Sequence, residues 1–264
     1  MSFFVADNIS AGYGKESVIK DISFSIESGC LSGLLGTNGS GKTTLLKAIC
    51  GILPHRGSCT LNGVSLRGLS TRELSRLCGY IPQRSGISID ISALDVVLMG
   101  FNPRLGLLES PSKQMKSLAL QALTEVGLGD KAQQNYLHLS EGQRQLCILA
   151  RTLVTDSQLL LLDEPESALD FRFRYKMLSI LRDYAEKGNR AALVSLHDPS
   201  LALNFCHRLI LISNGQSVGI IEPQTDSIER MESLLCRIYG SISLQSCTNK
   251  SGQTYLVMLK EDHR

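Results

Sequence analysis

An α/β fold built around a phosphate-gripping loop is predicted by three strings taken together. A compact apolar run, CLSGLLG at 30–36, ends in glycine and leads into GTNGSGKTT at 36–44, after which TTLLKAICGIL keeps helical spacing. Strand, glycine loop and helix in that order form the context in which a backbone wraps phosphate. Far downstream, LLLLDEP at 159–165 is a continuous apolar run closing on two carboxylates, as expected of a fully buried strand in an open sheet.

The remaining elements fall around these three. FFVADNISAGYG and VIKDISFSIESG alternate apolar and polar residues, which predicts two strands around a turn. GSCTLNGVSL at 57–66 reads as a hairpin strand with Asn62-Gly63 as its turn. A short helix, STRELSRL, precedes another strand, CGYIPQ, at 78–83. From about 92 to 138 the spacing turns helical, in ALDVVLMG and QMKSLALQALTEVGL, with PRLGLLESPSK as the loop between them. After LLLLDEP come a helix, YKMLSILRDYAEKG, and three strands, AALVSLHD, RLILIS and QSVGII. Past Glu222 a helix, SIERMESLLCRIY, precedes two alternating strands joined by the polar turn CTNKSGQ. A single domain over 1–264 is expected, with a helical subdomain at about 92–152 and a C-terminal extension at about 222–264.

Composition narrows the function. Hydrophobic residues make up 43% of the 264, enough for a sizeable core, and a net charge of +2 does not describe a binder of polyanions. The basic-aromatic cluster Arg172-Phe173-Arg174-Tyr175-Lys176 is assigned to the solvated face of a helix, and no nucleic-acid partner is expected. Eight cysteines are scattered with no Cys-x-x-Cys pair, which favours reduced, buried thiols in a cytosolic protein. MSFFVADNIS lacks the basic start and long apolar stretch of a signal peptide. No apolar run is long enough to span a bilayer, so work at a membrane would need an anchor from elsewhere.

The chemistry is carried by a few positions. Gly36, Gly39 and Gly41 allow a tight turn that brings N–H groups onto phosphate oxygens at the positive end of the following helix. Lys42 supplies a point charge to the β- and γ-phosphates, Thr43 a hydroxyl to Mg²⁺, and Thr44 a phosphate hydrogen bond. Asp163, at the end of four leucines, is placed to ligate Mg²⁺, and Glu164 is the candidate base that orients and polarises the attacking water. Ser140 and Gln143 have the spacing of a capping box, with Glu141 in the first turn. Gly142 weakens that first turn, which makes sense if a phosphate must approach the backbone there. Three further candidates sit at element ends: Gln83 for Mg²⁺ or the nucleophilic water, His197 after AALVSL, and Tyr13 for stacking an adenine ring.

The ordered set resembles the ATP-binding-cassette (ABC) ATPases over roughly residues 3 to 221. Tyr13 matches the adenine-stacking aromatic, GTNGSGKTT the Walker A loop, Gln83 the Q-loop and LSEGQ the signature. LLLLDEP matches Walker B with its catalytic glutamate, Ser167-Ala168-Leu169-Asp170 the D-loop, and His197 the switch histidine. The resemblance implies an ABC-type P-loop NTPase: a RecA-like mixed sheet, an N-terminal antiparallel β-subdomain and a helical signature subdomain. It implies ATP and Mg²⁺ as cofactors. The nucleotide would lie between Walker A of one subunit, Thr37, Asn38 and Ser40 included, and Ser140 to Gln143 of the other, with Asp170 at the seam.

A narrower likeness lies in DVVLMGFNPRLG at 95–106, GQRQLCILAR and RIYGSISL, which look like ATPases of the iron-siderophore, haem and cobalamin importers. That likeness implies a homodimer or paired cassette at the cytoplasmic face of the cell membrane. Integral-membrane permease subunits would be direct partners and an extracytoplasmic substrate-binding protein an indirect one. Alternatives are a soluble ABC ATPase of an assembly system, such as iron–sulfur cluster biogenesis, or the ATPase of another transporter, a metal-cation importer or an exporter.

The chain departs from the family at four places. Phe101 replaces an arginine and Arg104 a histidine in the region expected to face the permease; Glu141 replaces glycine and Glu166 threonine. Glu141 either points away harmlessly or sets a negative charge near the partner's γ-phosphate.

Overall fold

In the computed structural model, residues 2–83, 86–106 and 108–261 are described. Position 107 of the PRLGLLESPSK loop, positions 84 and 85 just past Gln83, and 262–264 of the C-terminal extension lie outside the described residues.

Three sheets carry the strands. The first, in the order β2-β1-β4-β5, pairs β1 (Phe4–Tyr13), β2 (Glu16–Ile26), β4 (His55–Leu61) and β5 (Val64–Ser65) antiparallel. Asn62 and Gly63 both take positive φ, 50° and 78°, the two-residue turn whose twist suits a hairpin. The second sheet runs β10-β9-β3-β8-β7-β6. Its strands are β3 (Leu31–Leu35), β6 (Cys78–Ile81), β7 (Leu159–Asp163), β8 (Ala191–Ser195), β9 (Arg208–Ser213) and β10 (Gln216–Ile221). Only the edge strand β10 is antiparallel to its neighbour, so the sheet is mixed as expected. A two-stranded sheet, β11 (Ile242–Thr248) and β12 (Thr254–Lys260), closes the chain.

The apolar run of β7 is explained by its two dressed faces. Leu160 and Leu162 enter one core while Leu159 and Leu161 enter the other, and Ala192/Val194 divide from Ala191/Leu193 of β8 in the same way. One core holds α1 (Lys42–Ile49) beneath the antiparallel sheet, with α2 (Thr71–Leu77) at its margin. The other holds α3 (Ala93–Leu98), α4 (Lys113–Val126), α5 (Glu141–Leu153), α6 (Phe171–Glu186) and α8 (Ile228–Tyr239). Helices α3, α4 and α5 pack on one another within the stretch where helical spacing was expected.

Two details differ from expectation. Helix α6 begins at Phe171, ahead of the predicted YKML start, because Asp170 accepts a hydrogen bond from Phe173 N at 3.0 Å and caps it there. The basic-aromatic cluster therefore lies on its first turns, where the Phe171, Tyr175 and Phe205 rings follow one another at 4.6 and 5.3 Å. An unpredicted helix, α7 (Pro199–Phe205), follows His197; Asp198 caps it and Pro199 opens it, a start signal that was legible in Asp-Pro. Phe101, in the region expected to face a permease, is itself buried in the helical core. Arg104 donates to the Thr155 carbonyl at 2.7 Å, fastening this segment to the end of α5.

The C-terminal strands are tied to α7. The Asn204 amide donates to the Leu256 carbonyl at 2.7 Å and accepts from Leu256 N at 2.9 Å, standing in for a neighbouring strand, and Ser200 Oγ accepts from Met258 N at 3.0 Å. Among the described residues no helix is long and apolar enough to cross a membrane.

All eight cysteines are free thiols: five buried, Cys30 and Cys236 half-buried, and Cys247 exposed. Burial pushes Cys50 up to about 11 and Cys59, Cys78 and Cys147 up to about 12. A thiol-titrating disulfide reagent at neutral pH should therefore label Cys247 fast, Cys30 and Cys236 slowly, and the other five only in denaturant. Rapid labelling of more than three thiols in the native protein would contradict this packing.

Candidate functional site

The phosphate loop joins β3 to α1. Gly39 and Gly41 take φ of 79° and 102°, conformations in which a side chain is strained. A Cβ on Gly36 would lie 2.3 Å from the Ile212 carbonyl, and one on Gly41 2.4 Å from Ile19. No side chain caps α1, so an anion entering the loop meets the first-turn N–H groups directly. Lys42 is buried and folds back on the loop, donating to the carbonyls of Gly36 at 2.9 Å and Thr37 at 3.2 Å. Residues Asn38 to Thr44, together with Val18 and Glu164, line a cavity of about 180 Å³.

Beside the loop, parallel pairing sets Asp163 opposite Ser195. Asp163 Oδ1 accepts from Thr43 Oγ1 and from Ser195 Oγ, each at 3.0 Å. Burial holds this carboxyl above its ordinary range, and both hydroxyls pull it back towards the ionised form. Thr43, Asp163 and the Gln83 amide oxygen are hard oxygen donors, which suits Mg²⁺. Among the described residues no cluster of three His, Cys, Asp or Glu could hold a metal alone. The donor set therefore fits an ion that takes further ligands from substrate phosphates.

Glu164 stands at the centre. Its backbone is left-handed, φ 49°, and its N–H is held by Ser195 Oγ at 2.9 Å. The carboxylate receives Gln83 Nε2 at 2.8 Å, touches His197 Nε2 at 2.6 Å and lies 3.7 Å from Lys42 Nζ. Three candidates from distant parts of the sequence thus meet at the carboxylate of a fourth. Three supporting residues were missed or left without a role. Gln145 donates to the Gln83 carbonyl at 2.6 Å, Ser195 links Asp163 to Glu164, and Glu166 accepts from His197 N at 3.0 Å.

Other predicted residues lie apart. Tyr13, half-exposed at the end of β1, lines an open cavity of about 630 Å³ with Lys15, Pro54, His55 and Arg56. Ser140 makes the expected capping box with Gln143, at 3.3 Å through its Oγ and 3.1 Å through its N–H. Glu141 points along its own helix to Arg144, 3.6 Å away. At Gly142 a Cβ would sit 3.1 Å from the Ala168 carbonyl of the same chain. Glu141, Arg144, Gln145, Ser167 and Ala168 line a separate cavity of about 630 Å³ that shares no lining residue with the phosphate-loop cavity and meets the centre through Gln83 and through the Ser167 N–H, 3.2 Å from the Glu164 carbonyl. Asp170 is engaged in capping α6.

A capless helix behind a glycine loop, a strand-end aspartate beside a threonine hydroxyl, and a glutamate aimed at the same cleft define a nucleoside-triphosphate hydrolase. The comparisons agree: the sequence profile of the ABC transporter family matches residues 19–167. The hemin import ATP-binding protein HmuV of Vibrio parahaemolyticus is 35% identical over 243 residues, covering 90% of each chain. The manganese transport ATP-binding protein MntB of Bacillus subtilis is 36% identical over 208 residues, covering 78% of this chain and 81% of its own. Among solved structures, a metal-chelate type ABC transporter in an inward-facing conformation aligns at a TM-score of 0.82, with 26% identity and 99% of both chains covered. This chain belongs to the ABC transporter family, as an ATP-binding subunit with the ABC ATPase fold.

Ser195 is the hydroxyl on which both acidic residues depend. Its replacement by alanine should cost about 1–3 kcal/mol by stranding the buried Glu164 N–H. Urea unfolding would read this directly, and an unchanged midpoint would contradict the bridging role.

Proposed function

We propose that this chain is the energy-coupling ATPase of an importer for an iron chelate, siderophore or haem, or a cobalamin-type substrate. The observation that carries the ATPase roles is the convergence of Gln83, His197 and Lys42 on the Glu164 carboxylate. Lys42 and the loop N–H groups bind the triphosphate. Glu164 polarises the attacking water, Gln83 and His197 hold that carboxylate in place, and Tyr13 stacks the base. Mg²⁺, when bound, neutralises charge across the phosphate oxygens; Thr43, Asp163 and Gln83 would hold it.

Two copies, or this chain with a paired cassette, work together. Support comes from the separation of the two clefts: the capped start of α5 lines none of the phosphate-loop cavity of its own chain. Ser140, Glu141, Gly142 and Gln143 would close over nucleotide held by the other subunit, with Asp170 near the seam. Turning a 1:99 open pair into a 99:1 closed one takes about 5.5 kcal/mol of differential binding, which two triphosphates bridging the interface can supply. Closure would displace the stretch from Gln83 to Gly106 and, with it, permease subunits at the cytoplasmic face of the membrane. The substrate-binding protein would meet the permease rather than this chain.

Haem or another chelate is favoured by similarity to hemin import proteins that covers 90% of this chain. A metal-cation importer is the second reading, favoured by the manganese transport relative. Vesicles carrying the complete transporter and its binding protein separate the two: uptake of haem or a ferric chelate supports the first, and uptake of free Mn²⁺ alone overturns it.

Glu164→Gln should retain ATP binding, lower turnover by about 10²–10⁴-fold and accumulate a nucleotide-bound dimer on size exclusion. Undiminished turnover in that variant would exclude Glu164 as the group that polarises the water.

A further inference from the structure

Beside the centre lies a buried carboxyl that the hydrolytic reading does not use. Glu166 is 2% exposed, within the turn that follows β7. Its Oε1 accepts the backbone N–H of His197 at 3.0 Å, and its Oε2 has no hydrogen-bond partner among the described residues. Burial pushes the carboxyl above its usual range although the His197 N–H and its own backbone N–H draw it down. A buried carboxyl with half its acceptors idle is unfavourable for stability when an apolar side chain of similar volume would fill the same space.

That cost accompanies a definite placement. The backbone N–H of His197 is tied to one end of the β7 turn, and its imidazole touches Glu164 at the other, Nε2 to Oε2 at 2.6 Å. The imidazole is itself 42% exposed and so is not held by packing. The main-chain bond to Glu166 is the one made by His197 itself, between the Leu196 N–H held by the Leu34 carbonyl at 3.2 Å and the helix start capped by Asp198.

We infer that Glu166 is a positioning residue for hydrolysis, which anchors the main chain of His197 so that its imidazole stays in reach of the Glu164 carboxylate. This rests on the ATPase roles proposed above. Length and an acceptor oxygen are what the position requires; negative charge is not. Loss of the anchor frees the ring, and a displacement of about 1 Å in a positioned group can cost on the order of 10²-fold in rate.

The test uses the full-length chain with Glu166→Leu, which keeps the volume and removes the acceptor, and Glu166→Gln, which keeps an acceptor oxygen without the charge. Expected for Glu166→Leu is a kcat roughly 10- to 100-fold lower with KM for ATP unchanged and a Tm held or raised. Glu166→Gln should stay within about threefold of the parent, and adding His197→Ala to Glu166→Leu should bring no further loss. The nuclear Overhauser contact between the His197 ring and the Glu164 side chain supplies a readout apart from turnover: it should be lost in Glu166→Leu and kept in Glu166→Gln. A parent-like kcat in Glu166→Leu, a Gln variant as impaired as the Leu variant, or a ring contact to Glu164 retained in Glu166→Leu would overturn the inference. Parent-like turnover in His197→Ala alone, with the ring contact still lost in Glu166→Leu, would instead overturn the role assigned to His197 and leave the anchoring intact.

Discussion

The left-handed backbone at Glu164 is the constraint around which the rest is arranged. A glutamate at φ 49° costs of order 1–3 kcal/mol and persists only where surrounding structure over-determines it. Here the over-determination is visible. Ser195 Oγ takes the Glu164 N–H at 2.9 Å and gives its own proton to Asp163 at 3.0 Å, so one hydroxyl fixes both carboxylates. That hydroxyl is in place because β7 and β8 pair with Asp163 opposite Ser195. A slip of one residue would turn Ser195 to the other face and mix leucines bound for two different cores. The packing of the central strands and the aim of the glutamate are therefore a single fact.

Charge in the cleft is balanced by the same economy. Lys42 is buried and has as partners two neutral carbonyls and the Glu164 carboxylate at 3.7 Å. A phosphate entering the loop offers that ammonium a charged acceptor, the stronger kind, in place of backbone oxygens. The carboxylate is not left bare by the exchange, since Gln83 and His197 already reach it. Gln83 is steadied in turn by Gln145 of α5, so the centre feels the helix whose start lines the neighbouring cleft.

Most of the sheet was legible because its strands carry unmixed signals. Four leucines before Asp163 can only be a strand dressed on both faces, and Asn62-Gly63 dictates its turn. The residues of the loop and the carboxylate pair were legible because phosphate chemistry restricts the residue types that serve it. What escaped were residues whose work depends on a register between strands far apart in sequence. Ser195 reads as an ordinary strand serine until β8 is laid beside β7, and Gln145 as a helix polar residue until its partner carbonyl is known. Gly142 has a second reason to be glycine that the sequence did not show, since a Cβ there would sit 3.1 Å from the Ala168 carbonyl. Helix α7 was missed because its stretch of helix is short, although Asp198-Pro199 marked its start.

The departure at Glu141 is resolved by what stands beside it. A carboxylate at the start of α5 would repel a phosphate if it faced one alone, yet here its oxygen is 3.6 Å from Arg144 on the same helix. Such a pair, largely in solvent, contributes little to stability. Its consequence is electrostatic: the two charges nearly cancel at the range of an approaching anion. The Arg144 guanidinium is anchored independently, donating to the Leu139 carbonyl at 3.1 Å and the Leu137 carbonyl at 2.6 Å, so it does not follow Glu141 away. The capping box meanwhile takes up the Gln143 N–H on the Ser140 Oγ, and leaves the Ser140 hydroxyl proton and the earlier N–H groups of the first turn as donors. An anion meeting this helix start therefore encounters backbone dipoles and a neutralised side-chain pair, which is compatible with closing over a triphosphate held elsewhere.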